Sequence, residues 1–144
     1  MNRLPAFRLF AVLALIVASL VLVGCPASKR SARGPLDQAL YDYAGAIRWS
    51  DFEAAYTFVD PEVRAEQDLA HIEIERLKQF QTSDYQVKRV IGSVDDVYEQ
   101  VVEIRLVNRH TQLERTVVER QRWRFDAEQK AWWLMTGLPR IVQN

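Results

Sequence analysis

Residues 97–108 read VYEQVVEIRLVN, and after a five-residue break residues 114–125 read ERTVVERQRWRF. Side chains in both runs alternate with a period of two and are rich in Val, Ile, Arg and aromatics, so each run predicts a β-strand with two unlike faces. One face carries Tyr98, Gln100, Val102, Ile104 and Leu106 against Val117, Glu119, Gln121, Trp123 and Phe125. The other carries Glu99, Glu103 and Arg105 against Arg120, Arg122 and Arg124. Charge sets an expected register: Arg109 opposite Glu114, Glu103 opposite Arg120 and Glu99 opposite Arg124, with Leu106 meeting Val117 on the opposite face. A further strand is predicted before this hairpin at 85–91 and one after it at 131–136, where Trp132, Trp133, Leu134 and Met135 crowd together. The breaks at 92–96, 109–113 and 126–130 are short, so the four strands make an antiparallel meander.

Upstream the period changes to that of a helix. Leu36, Leu40, Ala44 and Ile47 line one helical face, with Pro35 suited to the first turn and an end expected near Trp49. Ser50 or Asp51 caps a second helix on which Phe52, Ala55, Tyr56 and Val59 share a face, and Asp60-Pro61 starts a short third piece. Segment 69–80 is read as helical through Leu69, Ile72, Leu77 and Phe80, although Ile72 and Ile74 also alternate as in a strand. Helices first and strands second is the order of an α+β fold. A chain of 144 residues holds one such domain, placed at 36–144.

Basic and acidic residues balance at 19 each, with an isoelectric point near 6.7, so the basic footprint of a nucleic-acid binder is missing. Four Trp, five Tyr and six Phe fit a packed core. The N-terminus reads as a targeting segment: Arg3 and Arg8 precede an apolar run from Leu9 to Val23, shorter than the about 20 residues that a helix needs to cross a bilayer. The run ends in Leu22-Val23-Gly24-Cys25, which resembles the lipobox of bacterial lipoproteins. That resemblance implies cleavage between Gly24 and Cys25, a thioether from the Cys25 thiol to diacylglycerol, and acylation of the freed amine. Cys25 is the single cysteine, so no internal disulfide can form. The signal peptide is thus placed at 1–24, and the lipidated Cys25 with a flexible linker at 25–35. Pro26, where the lipoprotein sorting logic reads an inner-membrane Asp, implies an outer-membrane anchor facing the periplasm.

The helices-then-sheet order, together with Asp51-Phe52-Glu53-Ala54-Ala55-Tyr56, the closing Arg122-Trp123-Arg124-Phe125 and the Trp-rich last strand, resembles the nuclear-transport-factor-two-like (ketosteroid-isomerase-like) superfamily. The resemblance spans about residues 36–139. It implies a cone, with the N-terminal helices packed in the concavity of a curved antiparallel sheet around an apolar pocket. Many members are non-catalytic binding or assembly modules, so fold does not choose the role.

Tyr98, Gln100, Glu119, Gln121 and Trp123 are the pocket candidates, since they stand on the face assigned inward. A carboxyl desolvated there has its pKa raised, which suits general acid or base work at neutral pH. The superfamily's enzymes use an Asp base, a Tyr donor or an Asp-His pair, and neither His71 nor His110 falls on this face. Tyr41, Tyr43, Trp49 and Tyr56 read as core aromatics of the helices. His71, Glu73 and Glu75 would share one side of a strand, but on a helix only His71 and Glu75 share a face, so no metal site is assigned. No nucleophilic triad, Gly-rich phosphate loop, CxxC or HExxH occurs in the mature chain, and no cofactor is expected. The expectation is a non-enzymatic periplasmic lipoprotein that binds a small hydrophobic ligand or a peptide, or docks into an envelope assembly as a homodimer or with an envelope protein. The alternative is a pocket enzyme using Glu119 for proton transfer or hydrolysis.

Overall fold

The computed structural model describes residues 34–67 and 70–141; Gly24, Cys25 and the linker through Arg33 lie outside the described residues. Helix α1, Pro35–Arg48, opens with Pro35 in its first turn and Asp37 nearby, and closes with Arg48, a charge order that suits the helix dipole. It stops because Ser50 adopts a left-handed conformation (φ 59°). The Ser50 amide then bonds back to the Ile47 carbonyl and the Asp51 amide to Ala46, closing the last turn. Asp51 caps α2, Phe52–Tyr56, accepting from the Ala54 amide at 2.9 Å. Asp60 caps α3, Pro61–Glu66, accepting from the Glu62 amide at 2.8 Å. Helix α4, Ala70–Leu77, buries Ile74 and Leu77. The expected helix at 69–80 therefore ends earlier, and Phe80 belongs to the sheet.

Four strands follow in the order β1-β2-β3-β4, all antiparallel: β1 Phe80–Val94, β2 Val97–Asn108, β3 Glu114–Asp126 and β4 Ala131–Leu134. Strand β1 begins earlier than expected, because Thr82-Ser83-Asp84 is a bulged stretch of strand and not a turn. The register against β2 shifts there and again between Val87 and Arg89 and between Val90 and Gly92. Strand β4 ends at Leu134, short of the expected Thr136.

The β2–β3 register differs from the expectation by two residues. Glu99 stands opposite Arg122, Glu103 opposite Val118 and Leu106 opposite Arg115. The cause lies in the turn. The Asn108 side chain accepts from the amides of His110 and Thr111, both at 2.9 Å, and Gln112 takes a left-handed conformation, so pairing resumes only at Val107 opposite Glu114. Arg109 instead bonds through its amide to the Gln79 carbonyl. The expected ion pairs are redistributed: Glu99 takes Arg120 and Arg122, Glu103 takes Lys88 at 3.6 Å, and Arg124 turns to Asp60. A slip of two leaves every side chain on its own face. Val102, Ile104, Leu106 and Trp123 are accordingly fully buried beside Tyr43, Ile47, Phe52 and Val59 from the helical layer.

One seam fastens the helices to the sheet. The Leu134 amide donates to the Phe58 carbonyl and the Asp60 amide to the Leu134 carbonyl, so Val59 lies parallel to the free edge of β4 and covers it. Arg124 of β3 reaches the wholly buried Asp60 carboxylate at 2.8 Å. At the other side of the sheet, the Thr82 amide donates to the Ser50 hydroxyl at 2.8 Å, which docks the end of α1 onto β1. Tyr41 and Trp49, expected in the core, are exposed instead: each stands on the outer face or at the end of α1, while Tyr43 alone of that pair of tyrosines turns inward. Gly34–Asn144 is a compact unit that contains the whole described core.

Candidate functional site

Strand alternation brings four of the five predicted residues into one hydrogen-bonded line. Gln100 and Gln121 are direct partners across β2 and β3, with Tyr98 beside Trp123 on one side and Val102 beside Glu119 on the other. The Tyr98 hydroxyl donates to Gln100 Oε1 at 3.2 Å, Gln100 Nε2 donates to Gln121 Oε1 at 2.9 Å, and Gln121 Nε2 donates to Glu119 Oε1 at 2.9 Å. Every bond points the same way, from a phenol through two amides to a carboxyl. Gln100 and Gln121 are buried, where unpaired amides would be costly, so the line fixes both side chains in place.

Two tyrosines missed as site residues complete the cluster. Tyr85 of β1 donates from its hydroxyl to Gln121 Oε1 at 3.1 Å, giving that oxygen two donors. Its ring lies under the Arg48 guanidinium, 5.2 Å from the ring centre. Tyr43 of α1 is fully buried, and its hydroxyl has no hydrogen-bond partner among the described residues. Its ring meets the Trp123 indole edge-on at 5.3 Å, and Phe58 stands 6.1 Å away. Sequence signals for the pair were weak. Tyr43 was one of several helical aromatics, and the bulges of β1 hide the alternation that would have turned Tyr85 inward.

The electrostatics follow from burial. Desolvation pushes the Glu119 carboxyl above its ordinary value, and the Gln121 amide only partly offsets this. Burial also raises both phenols, Tyr43 and Tyr85, and the nearby Glu119 charge raises each further. All three groups thus hold their protons more tightly than they would in water. A carboxyl held this way can accept or return a proton, and the Gln121 amide, its one donor among the described residues, fixes where its Oε1 lies.

Trp123 lies entirely within the core and fills the space between α1 and the sheet. Grooves open elsewhere. One of about 220 Å³ is lined by Arg76, Leu77, Pro139 and Ile141, and another of about 370 Å³ by Ile91, Val94, Val97 and Arg122. None of Tyr98, Gln100, Glu119, Gln121 and Trp123 lines either one. His71 is exposed on α4 and His110 is exposed in the β2–β3 turn, both outside the cluster. Because 70–77 is helical, Glu73 projects away from His71 and Glu75. Among the described residues no three His, Cys, Asp or Glu side chains gather as a metal site, and no helix is long and apolar enough to cross a membrane. No protein-family model, curated protein or solved structure matches the chain.

Proposed function

We propose that this chain is a bacterial lipoprotein, cut after Gly24 and acylated on Cys25, held on the periplasmic face of the outer membrane. Its domain is a nuclear-transport-factor-two-like cone that acts as a non-enzymatic module. It docks into an envelope assembly or takes up a peptide or small hydrophobic ligand, and the linker that follows Cys25 and ends before α1 gives it reach from the membrane. The lipobox Leu22-Val23-Gly24-Cys25 supports the anchor. The observation that carries the non-enzymatic reading is the Trp123 side chain, packed on Tyr43 and Phe58 where a substrate pocket would otherwise sit. The polar line above it then serves to satisfy and align buried groups, which makes that part of the sheet rigid.

A second reading, a pocket enzyme in which Glu119 moves a proton, draws on the desolvated carboxyl and the Gln121 amide that donates to it. It requires substrate to reach Glu119. Native mass spectrometry of residues 27–144, exported to the periplasm and purified gently, separates docking from ligand uptake, and conversion of a bound compound by the parent but not by Glu119→Ala separates the enzyme from a binding module. Docking predicts a spectrum free of small-molecule mass. A reproducible added mass that disappears in Trp123→Ala or Glu119→Ala would overturn it in favour of a pocket.

A further inference from the structure

The sheet has open edges, and the chain deals with most of them. Along β1 the register against β2 shifts at three places, which breaks the even spacing that an added strand needs. Beside β4 the backbone at Val59 runs parallel to Leu134 and covers it. The first part of β3 has neither device. Strand β4 pairs only with residues 123–126, and the Met135 amide then takes the Arg122 carbonyl at 2.8 Å. Over residues 114–121, β3 has β2 on one side and no strand on the other among the described residues. Neither a bulge nor a proline interrupts it, the register being unbroken from Val97 opposite Arg124 to Val107 opposite Glu114.

Two bonds fix which main-chain groups face the open side. The Arg122 carbonyl points away from β2 to Met135, whereas the Phe125 amide donates to the Asp96 carbonyl on the β2 side. Backbone direction alternates along a strand, so Glu114, Thr116, Val118 and Arg120 also turn their amides and carbonyls to the open side. Their side chains stand together on the charged outer face, and all four are exposed. The residues themselves say what pairs there. Residues 114–120 read ERTVVER. Laid antiparallel on a second copy with Val117 opposite Val117, Glu114 meets Arg120, Arg115 meets Glu119 and Thr116 meets Val118, each twice. Both members of every pair project from the same face, so acid meets base on the outer face and on the inner one. The pairs 114/120 and 116/118 are also those whose main-chain groups face outward, as a hydrogen-bonded ladder requires. An axis at Thr116 or at Val118 would instead leave Glu114 or Glu119, respectively, opposite a valine. Arg120 already bonds Glu99 within its own copy at 2.9 Å, and its fork of donors can serve a second carboxylate. A foreign extended peptide would find the same amides without this match on both faces.

We infer that two copies of this chain join edge to edge through residues 114–120 of β3, antiparallel about a twofold axis at Val117, so that their two sheets run on as one. The contact is isologous, as a closed twofold pair demands. The proposal does not rest on the lipid anchor or on the docking role. One short ladder is smaller than a standard interface, so dissociation in the upper micromolar range is expected and dilute protein is a single copy.

The test uses the full chain in mild, density-matched detergent, read by sedimentation at about 200 µM. One variant carries Glu114→Arg and the other Arg120→Glu, so that each by itself sets like charges against each other at both ends of the ladder. The expected result is a dimer for the parent, at least tenfold less dimer for each variant, and a heterodimer restored on mixing them, because both ends then pair acid with base. Air oxidation of Val117→Cys supplies a second readout that does not depend on charge. At the axis the two copies of position 117 stand opposite each other within disulfide reach, so a link between copies is expected there by peptide mass, and none for Val118→Cys, which faces Thr116. Monomers throughout, with no link at position 117, would overturn the proposal and leave the edge to a different strand. Dimers indifferent to both swaps, or lost in each and not recovered on mixing, would overturn it as well.

Discussion

A partly desolvated carboxyl without a counter-charge holds its proton more tightly than one in water, and Glu119 is in that situation. Because its folded-state pKa is raised, the folded chain binds the proton more tightly than the unfolded one. Its contribution to stability is whole below the ordinary carboxylate value and is lost as pH rises through the folded value. Glu119→Gln keeps the Oε1 acceptor for Gln121 and removes the charge. Its melting temperature should exceed the parent's at about pH 8, with the gap closing at about pH 4. Thermal melts at the two pH values that gave equal gaps would show that Glu119 is solvated. Tyr43 offers a second residue-scale test. Its buried hydroxyl has no partner among the described residues, so Tyr43→Phe should raise stability by about 1 to 3 kcal/mol in urea titrations. A loss of that size would instead reveal an acceptor for the phenol. Of the site, the inward set on β2 and β3 was legible from alternation because parity survives a register slip of two. Tyr85 and Asp60 were not: one sits in a bulged strand, and the other is buried with its partner Arg124 far away in sequence.

At the scale of elements, the seam between α3 and the sheet depends on one acid. Burial pushes the Asp60 carboxyl up, but the Arg124 hydrogen bond, the Glu62 amide and the Arg124 charge together hold it below its ordinary value. The sign is opposite to that of Glu119: this stability is present above the ordinary carboxylate value and fades as pH falls through the folded value. Asp60→Asn retains the helix cap but gives up the charge, and should cost about 1 to 2 kcal/mol at neutral pH, Arg124 being free to hydrate. Chemical denaturation at neutral and acid pH checks both the cost and its decline in acid. Helix α1, the Asp51 cap of α2 and strands β2 and β3 were readable closely from their periods and caps, whereas α2 ends at Tyr56 and Val59, expected on its face, bridges to β4 instead. The start of β1 was not, since Thr82-Ser83-Asp84 has turn-like composition and only pairing with Arg105 and Leu106 makes it strand. The Asn108 side chain set the β2–β3 register by bonding amides within the turn, a local choice that charge matching along the strands does not reveal.

For the whole molecule, Trp123 is the piece on which both layers close. Truncation to Ala empties a fully buried site between α1, Phe58 and the sheet, and should cost about 3 to 5 kcal/mol by urea titration. A much smaller loss would mean that the layers collapse onto each other readily and that the buried face of the sheet is adaptable. On the proposed function, this domain works while tethered to a membrane through Cys25. Each buried methylene of an acyl chain contributes about 0.8 kcal/mol, so a multiply acylated cysteine holds firmly and its removal releases the protein. The most direct test is membrane fractionation with intact-mass analysis of the parent and of Cys25→Ala in a bacterial host. The account predicts a membrane-bound parent that begins at Cys25 and carries lipid mass, against a variant that is either released or left with its first 24 residues uncut. An unchanged mass and unchanged membrane retention in Cys25→Ala would contradict it.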